Sequence, residues 1–216
     1  MKFIIQTILA PIHSLTLTRI NIWRMKNKQT RCLEIGPGAK RIDSFETLNV
    51  VPTRTTDYVC DATKSLPFGN DTFDVVYASH IIEHIPWYQL EDTILEWLRV
   101  LKVGGHIEIW TPDALKISKA FISAEEQNST KYQKDDWSRF NEDKDPCKWF
   151  CGRIFSYGDG TGRKGHHNWH VSAFSPRYLS KLLVNHGFEQ PTLMDANEVR
   201  GYDHGWVNLG IRAKKQ

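Results

Sequence analysis

Six polar residues between positions 34 and 113 stand where apolar runs end: Glu34, Asn49, Asp61, Ser79, His80 and Asp113. Carboxylates and amides in such places accept hydrogen bonds from amines and sugar hydroxyls. An imidazole there exchanges a proton near neutral pH. Ahead of most of them comes Leu33-Glu34-Ile35-Gly36-Pro37-Gly38, an apolar run that closes on an acid and breaks into a glycine turn. Gly36 and Gly38 let a backbone approach a ligand that side chains would exclude, as a nucleotide-like cofactor requires. Any tight strand-to-helix junction can use glycine, so the turn gains meaning only from the strand ends after it. Histidine is the other resource. There are nine, among them His84 in Glu83-His84-Ile85-Pro86 and a cluster of His166, His167 and His170 beside Trp169.

The elements that would hold these residues alternate strand and helix. Residues 31–35, 46–51, 58–60 and 73–78 read as strands. The last, Phe-Asp-Val-Val-Tyr-Ala, is nearly continuous in apolar residues, as a strand covered on both faces should be. Only a loop or one helical turn fits between the first two. Leu90, Ile94, Leu98 and Leu101 mark one face of a helix over 88–101, which Gly104-Gly105 ends before a strand at 106–110. This rhythm predicts an open parallel sheet, with ligands at the C-terminal ends of its strands. Ser175-Pro176 starts a returning helix, and 188–194 and 206–213 read as a closing pair of strands.

Residues 115–165 interrupt the pattern. They are polar and charged but carry Phe121, Tyr132, Trp137, Phe140, Trp149, Phe150, Phe155 and Tyr157, too many aromatics for a disordered linker. They predict an insertion folded over the sheet edge, with Gly158, Gly160, Gly162 and Gly165 as a hinge. The chain of 216 residues thus divides into an N-terminal helical and basic segment, 1–30, and one domain, 31–216, with a lid at about 115–168. The N-terminal stretch is apolar, but Gln6, Thr7 and Pro11 break it well short of a membrane span, and it is expected to pack on the domain. The net charge of +3 is spread along the chain and argues against nucleic acid. Cys32 and Cys60 read as buried thiols. Cys147 and Cys151, at C-x3-C with histidines downstream, are spaced more loosely than a zinc knuckle and read as ordinary thiols of a cytoplasmic protein, so no metal site is assigned.

Four stretches, LEIGPG (33–38), DYVCDATKSLPF (57–68), FDVVYASHIIEHI (73–85) and LRVLKVGGHIEIWTPD (98–113), together resemble the successive motifs of class I S-adenosylmethionine-dependent methyltransferases, in the broad type 11 group. The resemblance covers roughly 30–113, with 170–188 similar to the family's C-terminal helix and strand. It implies a Rossmann-like, mostly parallel seven-stranded sheet with a C-terminal antiparallel pair, and S-adenosyl-L-methionine as cofactor. Carried over by position, Gly36, Pro37 and Gly38 would contact the methionine part, and Glu34 its amino group. Asp61 and Ala62 would meet the adenine, and Ser79 and His80 the sulfonium end. The acid that usually ends the second strand and holds the ribose is replaced by Asn49, with Val51 as the other register.

Within that resemblance His84 is placed to take a proton from an acceptor, with Asp113 to orient it. The alternative is that Glu83-His84 only ties its loop to the helix behind. His167 and His170 stand where a lid residue would reach the acceptor; plain surface and a metal site are the other readings. Trp87, Trp110 and the insertion's aromatics would stack on a sugar or aromatic ring, or form the insertion's own core. The expected function is O-methylation of a small hydroxylated acceptor such as a sugar or glycan precursor, without nucleic acid or stable membrane insertion, and with a homodimer left open. Ser79-His80-Ile81-Ile82 lacks the Pro-Pro-aromatic run of N-methylating members. An inactive cofactor-binding partner subunit, and N- or C-methylation of another small molecule, are the rival readings.

Overall fold

A computed structural model describes residues 14–137, 141–155 and 169–216. The apolar runs form the sheet. Strands β1 (Cys32–Ile35), β2 (Phe45–Asn49), β3 (Tyr58–Val59), β4 (Phe73–Ser79) and β5 (Leu101–Pro112) are parallel, and β6 (Phe188–Met194) and β7 (Asn208–Lys215) close it in antiparallel. Their order is β3-β2-β1-β4-β5-β7-β6. Strand order reverses between β1 and β4, and the crevice outside their C-terminal ends is the natural ligand site of an open α/β sheet. Leu33, Ile35, Val76, Ala78, Ile107 and Ile109 share one face of the sheet and are buried in the main core.

Five helices are described: α1 (Arg19–Met25), α2 (Leu90–Val100), α3 (Ala114–Gln127), α4 (Pro146–Phe155) and α5 (Pro176–Asn185). The buried face of α2 is Leu90, Thr93, Ile94, Trp97 and Val100; Leu98 is half-buried, and Leu101 already pairs with Phe73 in β5. The predicted boundary at Gly104-Gly105 is therefore an irregularity within the strand, where β5 shifts register against β4. No helix stands between β1 and β2. That loop is tied down by Arg41, which pairs with Asp57 at 2.5 Å and donates to the Phe45 carbonyl. Ahead of the sheet, Thr18 Oγ1 accepts from the Val59 N–H at 3.1 Å, and Asn21 donates to the Asp57 carbonyl, so α1 lies against β3. No helix among the described residues is long and apolar enough to cross a membrane.

The insertion is more regular than its polarity suggests. Helix α3 leaves β5 directly, and Ile117, Ala120, Ala124, Tyr132, Trp149 and Val207 form a second small core with Phe121, Trp137 and Phe150 packed on it. Most of the insertion's described aromatics are thus structural, whereas Phe155 is exposed; Phe140, Tyr157 and the glycine hinge lie outside the described residues. Trp110 is also core. It faces Gly210 on β7, where a Cβ would lie 2.4 Å from the indole, so it is not available to stack on an acceptor.

Strand β5 carries one buried acid. The Glu108 side chain has no exposure and accepts from Arg200 at 2.7 Å, Arg212 at 3.0 Å and His106 at 3.1 Å. Burial alone would raise its pKa, but these donors hold it at about 2. The folded value lies below that of the unfolded chain. Its contribution is therefore full above the ordinary glutamate pKa of about 4.3 and lost as pH falls through about 2. Glu108→Gln is expected to lower unfolding free energy by about 2 kcal/mol at pH 7 and to flatten the fall in urea midpoint below pH ~4.3; an unchanged acid limb would contradict this.

Candidate active site

The crevice at the strand reversal has two halves. On the β1 side, Glu34 is buried and its Oε2 has no hydrogen-bond partner. Burial raises its pKa, while the Ile42 N–H and the Arg41 charge act to lower it. Gly36 follows with φ +73°, in the left-handed region, and a Cβ there would lie 1.9 Å from Ile81 Cδ1. The loop can therefore turn over β1 only with glycine at 36. Pro37 is buried and Gly38 is exposed, with open space above its Cα. Asn49 is the last residue of β2, and its Oδ1 lies 3.4 Å from the Val51 N–H. Asp61 is exposed, and its Oδ1 accepts from the Thr63 N–H and hydroxyl, a local turn. The Ala62 carbonyl accepts from the Trp97 indole at 3.0 Å, pinning that turn to α2.

On the β4 side the chain runs into a histidine cluster. Ser79 ends β4, and His80 takes φ +54°, a conformation uncommon for any residue but glycine. The His80 ring is turned into the protein: Nε2 lies 2.9 Å from Asn208 Oδ1, Nδ1 lies 3.1 Å from Glu83 Oε1, and His204 stacks on it at 3.7 Å. Asn208 is oriented by donating to Asp203, so its oxygen faces His80. His80 therefore enters the crevice through its backbone, not its ring.

Glu83 is the centre of this half. It is 1% exposed, its Oε2 accepts from Thr111 at 3.1 Å, and its own carbonyl accepts from the N–H groups of Val171 and Ser172. Burial would raise its pKa, but His80, His84 and His170 hold it at about 2, so it is ionised. His84 donates its Nδ1–H to the Trp169 carbonyl at 3.1 Å, and His170 donates its Nδ1–H to the Arg153 carbonyl at 3.1 Å. In both rings Nδ1 is thus the donor, leaving Nε2 for other partners, and the rings meet edge to face at 4.9 Å. Burial pushes the His170 pKa down to about 4 and that of His204 to about 3. A small pocket lies beside the cluster, with Glu83, Arg153, His170 and Ser172 in its wall.

Asp113, expected to orient His84, has another task. It is the N-cap of α3, accepting from the Leu115 and Lys116 N–H groups, and it lies 3.7 Å from the Lys116 ammonium. Glu83 and the Trp169 carbonyl surround His84 instead. His167 and its neighbour His166 lie outside the described residues. Sequence reasoning missed Thr111, Asn208, His204 and the backbone carbonyls of Arg153 and Trp169. Only Asn208, at the start of a strand, carried a signal, because a polar residue there sits at the site edge of an antiparallel neighbour.

Residues 22–109 match the family model described as a methyltransferase domain. Over those residues, fewer than half of the chain, the sequence is similar to methyltransferase domains. No curated protein matches it. Among solved structures, it is similar to an S-adenosylmethionine-dependent methyltransferase of Thermotoga maritima, described as a possible histamine N-methyltransferase. Identity is 17%, the match covers 100% of this chain and 95% of that one, and the TM-score is 0.50. The 1,6-didemethyltoxoflavin N1-methyltransferase of Burkholderia thailandensis, solved with S-adenosylhomocysteine, is 14% identical over 93% of this chain and 76% of that one, with TM-score 0.50. A Methanosarcina mazei S-adenosylmethionine-dependent methyltransferase is 16% identical over 90% and 96%, also at 0.50. At such identities these structures establish the class I methyltransferase fold alone.

S-adenosylmethionine is the cofactor of that domain family, and the β1 half fits it. An orphaned, buried carboxylate oxygen on Glu34 suits an ammonium group. The turn at Gly36 and the open space over Gly38 suit close backbone approach. In the methyltransferase, Gly36→Ala is expected to lower Tm and weaken S-adenosylhomocysteine binding about tenfold or more, since left-handed strain and the Ile81 clash together cost roughly 1–3 kcal/mol. Adding Ile81→Ala should restore part of the Tm, because it removes the clash but not the strain; calorimetry of both variants checks this, and full retention of binding in Gly36→Ala would refute it.

Proposed function

We propose that this methyltransferase moves the methyl group of S-adenosylmethionine to a hydroxyl of a small acceptor, a sugar or glycan precursor being the class that fits best. The observation that carries this is His84. Its Nδ1–H is committed to the Trp169 carbonyl, so its Nε2 is the free acceptor, and it stands just past β4 beside an ionised Glu83. An alcohol must lose its proton as the methyl arrives, and an imidazole held in one orientation is suited to take it. The cofactor supplies an electrophilic methyl on a sulfonium. Glu34 would hold its amino group, the turn at 36–38 its methionine backbone, Asn49 its ribose, and Asp61 with Ala62 its adenine, with Ser79 and the His80 backbone at the sulfonium end. His170, close to His84 and part of the pocket wall, would position the acceptor; His167 is kept as a lid candidate on sequence alone.

Histidine, not a Pro-Pro-aromatic run, follows β4, and this favours a hydroxyl over a nucleobase or amine nitrogen. The N-methyltransferases among the similar structures share the fold with this chain and not, on this reading, the acceptor.

Calorimetry with S-adenosylmethionine and S-adenosylhomocysteine is expected to show 1:1 binding, and an S-adenosylhomocysteine release assay against sugars and sugar nucleotides to show turnover. His84→Ala should cut turnover by about a hundredfold or more while sparing cofactor affinity. Binding without turnover on any hydroxyl acceptor would favour the inactive partner subunit, and an unchanged rate in His84→Ala would remove the base assignment. Asn49→Asp is expected to tighten cofactor binding about tenfold, because a carboxylate makes charge-assisted bonds to both ribose hydroxyls where an amide oxygen makes one; an unchanged Kd would show that Asn49 does not touch the ribose.

A further inference from the structure

Glu83, His84 and His170 converge more closely than a proton relay needs. One ligand-type atom from each, a carboxylate oxygen and two imidazole nitrogens, lies within 4.8 Å of the others. His170 Nε2 stands 3.9 Å from Glu83 Oε1, and that buried oxygen accepts no well-aligned hydrogen bond, although His80 Nδ1 lies 3.1 Å away. From these contacts we propose that Glu83 Oε1 and the Nε2 atoms of His84 and His170 form a binding site for a first-row divalent cation of the zinc type.

Four features carry the assignment. Two imidazoles and one carboxylate are the donor set that suits zinc, cobalt or iron(II) rather than magnesium or calcium, which take oxygen ligands. Both rings have Nδ1–H bonded to a backbone carbonyl, Trp169 for one and Arg153 for the other. This outer contact fixes the tautomer with Nε2 as ligand, and it is the contact that metal-bound histidines characteristically make. Thr111 fixes the other oxygen of the carboxylate. Finally, the pocket reaches Glu83 and His170, which leaves a side from which a water or an acceptor hydroxyl could complete the coordination. Ligand atoms around tetrahedral zinc lie about 3.4 Å apart, given bonds of about 2.0–2.1 Å, so side-chain rotations moving the atoms by about 1 Å would close the set.

The lone pair of His84 that would take a proton is the one that would bind the cation. These roles of His84 are alternatives, separated by the metal content of the protein, and the cation site does not rest on the identity of the acceptor. The competing soft site is the exposed pair Cys147 and Cys151, so the test is made in the full chain carrying Cys147→Ser and Cys151→Ser.

Cobalt(II) titration of that protein is expected to give a saturable 1:1 visible spectrum, displaced by zinc. Zinc should raise Tm, and a chelator should reverse the rise. His170→Ala and Glu83→Gln, each checked for folding by circular dichroism, should weaken cobalt binding by about tenfold or more. Should Glu83→Gln not fold, His170→Ala and the wild-type zinc shift decide alone. No saturable spectrum, or one that persists unchanged in folded His170→Ala, would overturn the site. Cofactor calorimetry on the same samples separates a failure of the cation site from a failure of the methyltransferase reading, since neither measurement depends on the other.

Discussion

A carboxylate shut away from water must be neutralised or surrounded by donors, and Glu83, 1% exposed and ionised, is surrounded. The groups around it come from far apart in the chain: His80 from the end of β4, Thr111 from the end of β5, and His170 from the segment returning before α5. Its backbone carbonyl takes two further N–H groups, of Val171 and Ser172. One residue thus binds the tip of β4 to the tip of β5 and to the chain that comes back from the insertion. Without its charge, His80 would lose a partner on one ring nitrogen, and the strained φ at His80 would have less to hold it. The histidine cluster is best understood as the shell that this buried charge requires, oriented so that two lone pairs remain for chemistry.

The insertion enters the same network from outside. Asp135 is buried against Arg153, and it also accepts from the Trp149 indole at 2.7 Å. That pair fixes the last turns of α4, and the Arg153 carbonyl there accepts from His170. The aromatic core around Trp149 consequently has a bearing on the site although none of its rings need touch an acceptor. Its packing sets where Arg153 sits, and Arg153 sets which nitrogen of His170 carries the proton. A fold element that looked like a cover over the sheet is also a brace for one side of it.

What could be read from the sequence was what local pattern encodes. Apolar runs gave the strands, the acid and glycines after β1 gave one half of the crevice, and the Ile109-Trp110 run gave a strand end near the other. The lack of a helix between β1 and β2 was legible from spacing, and so was Asn49 as the end of β2. Asp113 was misread because two local signals compete there: a polar strand tip reads as a site, and an acid before Ala-Leu-Lys-Ile reads as a helix cap. The cap won once α3 proved to begin directly after β5. Trp110 was open to a stacking role until Gly210, a hundred residues on, left room for its ring. Asn208, His204 and the carbonyls of Trp169 and Arg153 had no local signature, since a backbone carbonyl is the same at every residue and only tertiary packing selects one.

The same reasoning bears on charge in the cofactor half. Asp57 lies near the place where an acid is wanted, but it is committed: Arg41 and the Thr47 N–H pair with it and, against the cost of burial, hold its pKa low. The carboxylates left for the proposed cofactor site are Asp61, which is exposed and partly used in its own turn, and Glu34, which is buried with an unpartnered oxygen. Screening by water makes an exposed charge worth little, whereas a buried one gains the full strength of a partner. Burial also raises the Glu34 pKa, a cost that an ammonium placed beside it would reverse. In a site with Asn49 at the ribose position, selectivity for a ligand bearing an amino group therefore falls mainly on Glu34. The glycine turn beside it depends on the lack of a side chain at 36, since a Cβ there would displace Ile81.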